Sequence, residues 1–156
     1  MSQITAITHV HQPASRRQLR FKTRGASLGL TATQTHHLIS RIEEGLPFTA
    51  LESLTALSGF SVAMIASALG IPERTLARRK VAGRFAPDES ERLLRISTTF
   101  ERAVELFEGD ISGAANWLTT PKRALGNQTP LAYSRTEVGA REVENLIGRL
   151  EHGVFS

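Results

Sequence analysis

The 156-residue sequence contains no cysteine, one tryptophan and one tyrosine. Without cysteine the chain has neither disulfide bonds nor a thiolate metal site. It also lacks any apolar run that approaches the ~18 residues of a membrane-spanning helix, and no signal-peptide-like segment follows Met1. We therefore expect a cytoplasmic protein with no membrane partner.

Residue patterns for catalysis and for metal binding are missing as well. The two histidine pairs, His9 with His11 and His36 with His37, have no third ligand at a useful spacing. Most serines and threonines stand at expected helix starts, without a local His or Asp that would activate a nucleophile. No glycine-rich phosphate-binding loop is present. We expect no enzyme and no bound metal or cofactor.

The apolar residues predict an all-α protein. Leu, Ile, Val and Ala recur at helical spacing, whereas alternating apolar runs and adjacent β-branched residues are scarce. The chain length suits one domain, or two small domains that share a core.

The positive charge is concentrated in an amino-terminal arm. The net charge is +4, and the segment from Met1 to Leu30 holds five basic residues and no acidic residue. The five are Arg16, Arg17, Arg20, Lys22 and Arg24. Such an arm suits phosphate contact, because each neutralised phosphate releases a counterion. A solvated, disordered tail has the same composition, and an organellar transit peptide is a third interpretation, although a clear apolar face is missing.

Several short patterns predict where helices begin. A Ser, Thr or Asp followed three residues later by Glu or Gln is typical of a capping box. This pattern predicts helix starts capped by Thr31, Thr49, Asp88 and Ser134. Ser61 and Asp110 are predicted to cap two further helices. The first helix should bury Leu38, Ile39 and Ile42.

The stretch 61–80 has the spacing of a helix-turn-helix motif. Ala66 leaves room for a second helix, Gly70 permits a sharp turn, and Pro72 suits the first position of the next helix. Arg79 departs from the motif, because an apolar residue is common at that position. We therefore expect looser packing, or a rotated axis, for the second helix.

The second helix of the motif is basic along one side. Arginine can make paired bonds to guanine in the major groove, whereas Lys and Thr more often hold phosphates. The same composition would suit a surface helix without a DNA role, but the basic run coincides with the helix that reads DNA in this motif. The candidate DNA-binding residues are Arg74, Thr75, Arg78, Arg79, Lys80 and Arg84.

A long helix should connect this motif to the rest of the chain. Its predicted apolar face consists of Leu93, Ile96, Phe100, Val104 and Phe107. A short helix with Trp117 follows, and we expect this side chain in the core rather than at a partner surface.

The carboxy-terminal third combines a shaped loop with an amphipathic helix. Gly126 and Asn127 can adopt the positive φ that a tight loop requires. A helix follows, with an apolar face of Val143, Leu146, Ile147 and Leu150. The chain then ends with Gly153, Val154 and Phe155, although termini are usually small and polar. We expect these two apolar side chains to be buried by a partner protein, or else to fold back onto the chain's own core.

The run WLTTPKRALGNQTPL and the later run TEVGAREVENLIGRLEHGVF resemble the toxin-binding domain of Xre/MbcA/ParS-type antitoxins. This family is paired with RES-domain toxins, and the resemblance extends over roughly residues 60 to 156. The sequence departs from the family pattern at Lys122, at Asn127 and at the polar stretch 133–135. Such departures bear on which toxin is recognised.

The resemblance implies a type II antitoxin that represses its own operon. Its toxin would consume NAD, and the carboxy-terminal segment would cover the toxin's active site. The implied toxin-binding residues are Arg149, Glu151, His152, Gly153, Val154 and Phe155. Operator DNA and a second copy of the chain would be further partners, because half-sites repeat at one-turn spacing. A stand-alone regulator, or an adaptor with a dimerising carboxy-terminal domain, remains the alternative.

These observations give a domain plan with four parts. It assigns 1–29 to a basic flexible arm, 30–86 to a helical DNA-binding domain, 87–109 to a connecting helix, and 110–156 to a small helical toxin-binding domain.

Overall fold

The computed structural model describes residues 19–153, and this part of the chain is helical with no β-strand. The predicted all-α class is therefore confirmed. The helices are α1 (Thr35–Glu44), α2 (Phe48–Ser58), α3 (Val62–Leu69), α4 (Glu73–Ala82), α5 (Pro87–Leu106), α6 (Ile111–Leu118), α7 (Pro130–Tyr133) and α8 (Glu137–Glu151). Short 3₁₀ turns form at Ala26–Leu28 and at Arg123–Leu125.

Helix α5 is the centre of the fold. It has 20 residues and packs against α1, α3, α6 and α8. Its predicted face is confirmed at Leu93, Ile96, Phe100 and Val104, which are almost completely buried, while Phe107 directly follows the helix and is half-buried. One continuous core runs from Leu28 to Ile147. The helix-turn-helix and the carboxy-terminal helices therefore share a single interior.

The end of the predicted arm belongs to the folded part. Ser27 and Leu28 are buried in the 3₁₀ turn beside α5. The carboxylate of Glu101 accepts hydrogen bonds from the backbone N–H and the hydroxyl of Ser27, at 2.8 and 2.7 Å, and from the N–H of Gly25 at 3.2 Å. Burial raises the pKa of Glu101 although these donors act to lower it. The remaining arm, residues 1–18, lies outside the described residues.

Two predicted caps are confirmed and the four capping boxes are wrong. The hydroxyl of Ser61 accepts from the N–H of Met64 at 3.1 Å, and Asp110 accepts from the N–H of Gly113 at 3.1 Å. The helices predicted to follow Thr31, Thr49, Asp88 and Ser134 instead begin at Thr35, Phe48, Pro87 and Glu137.

Tertiary contacts explain two of these four failures. Ser134 is completely buried and donates to the carbonyl of Pro130 at 2.8 Å, so Thr136 caps α8 instead by accepting from Gly139 N–H at 3.0 Å. At α5, Glu89 rather than Glu91 accepts from the N–H of Ala86, because Glu89 is the residue that points into the protein.

Surface helices depart from the predicted faces where the core does not reach them. Leu38 of α1 is buried as predicted, but Ile39 is half-exposed, because α5 covers one side of α1 only.

No single helix in residues 19–153 is long and apolar enough to cross a bilayer. Helices α2 and α3 together reach that length, but the chain bends by 119° between them.

Candidate nucleic-acid interface and carboxy-terminal surface

The turn between α3 and α4 has the geometry that its sequence predicts. Gly70 has a φ of 67°, and its N–H donates to the carbonyls of Ala66 and Ser67. Ile71 is buried beneath the turn and donates to Ala66 at 3.0 Å. Pro72 occupies the position before α4, one residue earlier than predicted, because the helix begins at Glu73. A left-handed glycine followed by a proline thus forces the change of direction.

Helix α4 stands at the surface, and none of its residues is buried. Leu76 packs against the core, and both Thr75 and Leu76 are half-buried. Arg74, Arg78 and Lys80 are exposed. No salt bridge in residues 19–153 involves these three cations. They are therefore available to an anionic partner.

Arg79, also among the candidate DNA-binding residues, is engaged within the protein. Its Nε donates to Oε2 of Glu89 at 2.8 Å and its Nη2 donates to Oε1 at 3.0 Å. The hydrogen bond to Glu89 raises the pKa of Arg79. Burial would raise the pKa of Glu89, but the bonds from Arg79 and from the N–H of Ala86 outweigh it and lower the pKa. The guanidinium of Arg79 thus fastens α4 to α5.

Arg84 is also engaged within the chain. Its Nη1 donates to the carbonyl of Glu44 at 2.7 Å, at the carboxy-terminal end of α1. Its side chain lies against Gly45, where a Cβ atom would collide with the carbonyl of Phe85. Arg84 therefore tethers the chain after α4 to the end of α1. Arg79 and Arg84 are thus engaged within the chain, whereas Arg74, Arg78 and Lys80 form no salt bridge among the described residues.

The corner between α7 and α8 touches the turn of the helix-turn-helix. The guanidinium of Arg135 lies against Gly70, with Nη2 2.9 Å from the position that a Cβ atom on Gly70 would occupy. The carbonyl of Arg135 accepts from Nη1 of Arg95 at 3.2 Å, and Nε of Arg95 pairs with Glu137 at 3.4 Å. These contacts connect the helix-turn-helix to the carboxy-terminal helices. The sequence carried no signal for them.

The loop before α7 has the predicted shape. Gly126 and Asn127 both have positive φ, which confirms their role in the turn. Lys122 lies over the indole of Trp117, with Nζ 5.2 Å from the ring centroid, and burial lowers the pKa of Lys122. Trp117 is half-buried against the core, and this lysine forms a cation–π contact with its ring.

Helix α8 buries its predicted face and ends at the surface. Val143, Leu146 and Ile147 are buried and Leu150 is half-buried. Glu151, His152 and Gly153 are exposed. Val154 and Phe155, the apolar residues of the predicted plug, lie outside the described residues.

The charged residues at the end of α8 form ion pairs. Arg102 of α5 contacts Glu105 at 2.8 Å and Glu151 at 3.2 Å. Arg149 reaches Glu142 at 3.7 Å, and its Nε has no hydrogen-bond partner among the described residues. Glu105, Glu108 and Glu151 line one shallow depression, together with Leu19, Arg20 and Gly109. Three carboxylates therefore lie together near the end of α8, and two of them pair with Arg102.

Comparison with known proteins assigns a family to each end of this structure. Residues 37–97 match the model of the antitoxin Xre-like helix-turn-helix domain, and residues 102–153 match the model of the antitoxin Xre/MbcA/ParS C-terminal toxin-binding domain. Helix α5 contributes to both matches.

Proteins of similar sequence agree with this assignment. A Yersinia enterocolitica protein named Antitoxin Xre is 43% identical over 83% of this chain and 88% of its own length. A Photorhabdus laumondii protein of the same name is 40% identical over the same shares. A third Antitoxin Xre, from Pseudomonas putida, is 32% identical over 53% of this chain and 52% of its own length. The chain belongs to the Xre antitoxin family.

Proposed function

We propose that this chain is the antitoxin of a type II toxin–antitoxin system, that it neutralises a RES-domain toxin that consumes NAD, and that it represses its own operon. The main support for this proposal is that a helix-turn-helix domain and an Xre-type toxin-binding domain occur in one chain and share the central helix α5. Each region supplies a surface of its own: α4 for DNA, and the end of α8 for the toxin.

The toxin-binding half acts through the carboxy-terminal segment. Helix α8 is fixed on α5 through its buried face, so its last turn is a rigid support for the residues that follow. Val154 and Phe155 enter the toxin's cleft, where full burial of each side chain contributes ~1.5–3 kcal/mol. His152 and Gly153, whose φ is positive, lie at the rim of the cleft.

Charge complementarity also supports an NAD-binding enzyme as the partner of this surface. An enzyme that binds NAD has to hold a negatively charged pyrophosphate, so cationic groups are expected at its active site. The depression lined by Glu105, Glu108 and Glu151 offers carboxylates beside the inserted segment. Arg102 holds Glu151 in place at this edge. The surface would thus oppose the cations that otherwise bind the substrate.

The DNA-binding half acts through the exposed side of α4. Arg74 and Arg78 reach base edges, whereas Lys80 and Thr75 hold phosphates. Arg79 and Arg84 act indirectly, since they hold α4 against α5 and the following chain against α1. Two copies bind together, because one recognition helix buries too little surface and specific operators repeat at one-turn spacing. The basic arm adds phosphate contacts.

Co-expression with the neighbouring growth-inhibiting gene tests the proposal. The chain should co-purify with the gene's product, restore growth and preserve the cellular NAD level, and it should bind DNA upstream of its own gene. Operator binding without a toxin partner would instead indicate a stand-alone regulator. Capture of a non-toxin partner without operator binding would indicate an adaptor.

A further inference from the structure

Val81 is the most exposed large apolar residue in the described part of the chain. Its exposed fraction is 91%, and it lies in the last turn of α4. Folding of the isolated chain gains nothing from burying this side chain, and a β-branched residue is slightly unfavourable in a helix. The presence of an apolar group here is therefore not explained by the stability of the fold.

Val81 shares one helix face with the exposed arginines of α4. Arg74, Ala77, Arg78 and Val81 stand at positions i, i+3, i+4 and i+7, and all four are exposed. A recognition helix that lies along the major groove contacts bases through residues with this spacing. Ala77, with its small side chain, lets the helix backbone approach closely between the two arginines.

The surroundings of this face favour DNA over a second protein chain. Lys80 and Arg84 flank Val81 in sequence, and the one acidic residue of α4 is Glu73 in the first turn. Two copies of the chain that met through this face would bring their cations together, which is unfavourable. A polyanion would instead be attracted to the same face.

We propose that Val81 reads thymine in the operator by packing against its 5-methyl group. Thymine alone presents a methyl group in the major groove, and apolar side chains are suited to contact it. Arg74 and Arg78, which both precede Val81 along α4, would then select guanine to one side of that thymine, so that the face reads a guanine- and thymine-containing half-site. This inference rests on the proposed operator binding by α4.

The test removes the methyl group from the DNA and the valine from the protein. The operator is first mapped by footprinting of the DNA upstream of the gene with the full chain. Duplexes with single thymine-to-uracil replacements are then titrated at one salt concentration, with wild type and Val81→Ala. Wild type should lose affinity about fourfold at one thymine of each half-site, as expected for one buried methyl group. Val81→Ala should bind the thymine and uracil duplexes equally.

Val138→Ala is the matched control, because Val138 is 79% exposed on α8, in the toxin-binding domain. It should behave as wild type does on every duplex. Val81→Thr, which keeps the shape and one methyl group, should retain part of the discrimination.

Two results on the mapped operator would overturn the inference. Wild type could be insensitive to every uracil replacement, or Val81→Ala could keep the wild-type sensitivity. Loss of the dimer in Val81→Ala, measured by light scattering, together with unchanged thymine discrimination would assign Val81 to contact with a second copy. If wild type binds no upstream fragment at all, the proposed operator binding fails first, and the inference fails with it.

Discussion

Arg79 and Glu89 form a two-pronged ion pair across the α4–α5 corner, with bonds of 2.8 and 3.0 Å. Glu89 is buried, and its Oε2 also accepts from the N–H of Ala86 at 2.8 Å. One carboxylate therefore caps α5 and holds α4. An ionic anchor replaces the apolar residue that is common at this position of a helix-turn-helix.

This anchor distinguishes two adjacent arginines. Arg78→Ala should weaken operator binding about 5- to 150-fold, because a lost arginine–guanine contact costs about 1–3 kcal/mol. It should leave the thermal unfolding midpoint unchanged, since Arg78 is exposed. Arg79→Ala should lower that midpoint as well as weaken DNA binding, because Glu89 stays buried without its partner. Equal midpoints for the two variants would contradict the anchoring role.

The same pair predicts a pH dependence. The pKa of Glu89 is lowered in the folded chain from its usual value of 4.5, so the folded state binds this proton less tightly than the unfolded state does. The stabilisation is therefore complete above that usual value, and it is lost as the pH falls through the lower folded pKa. The difference in unfolding free energy between wild type and Glu89→Gln should shrink on acidification.

Urea denaturation at several pH values measures this difference. Glu91→Gln is the control, since Glu91 is exposed on the same helix. A difference for Glu89→Gln that does not vary with pH would rule out the linkage.

Two glycines of α8 should respond to alanine in opposite directions. Gly148 has nothing within 4 Å of the position that a Cβ atom would take, so Gly148→Ala should stabilise the chain by about 0.5–1 kcal/mol. At Gly139 a Cβ atom would overlap the carbonyl of Tyr133, so Gly139→Ala should destabilise it by about 1–3 kcal/mol. Urea denaturation of both variants measures the two effects. Stabilisation by Gly139→Ala would show that the α7–α8 corner is not closely packed.

Lys80 should behave as a phosphate contact. Lys80→Ala should weaken binding to operator and non-operator duplexes alike, and should reduce the slope of log affinity against log salt by about 1. Lys122→Ala, which removes the cation over Trp117, is the control and should leave that slope unchanged. A sequence-dependent loss for Lys80→Ala would assign it to base reading instead.

The sequence predicted those features of the fold that depend on local spacing. The α5 face around Phe100, the turn at Gly70 and the caps Ser61 and Asp110 are all found in the structure. The helical spacing of apolar residues specifies the α5 face, a glycine that accepts positive φ specifies the turn, and a polar side chain at the start of its own helix specifies each cap.

Features that depend on distant contacts could not be predicted in this way. Glu101 binds Ser27 across 74 positions, and Arg135 reaches Gly70 only because α7 packs on α3. Ser134 matched a capping box but is buried, so its hydroxyl bonds within the core instead. Arg79 was recognised as a departure from the motif, but its ion pair could not be predicted, since its partner Glu89 is placed by the turn between α4 and α5.

Deletion of residues 153–156 tests the central claim most directly. NAD consumption by the purified toxin is measured against increasing amounts of full-length or truncated chain, and operator binding by the truncated chain serves as the folding control. Because Val154 and Phe155 each contribute ~1.5–3 kcal/mol when buried, we predict that inhibition weakens at least ~100-fold while operator binding persists. Full inhibition by the truncated chain would contradict the proposal that this segment covers the active site.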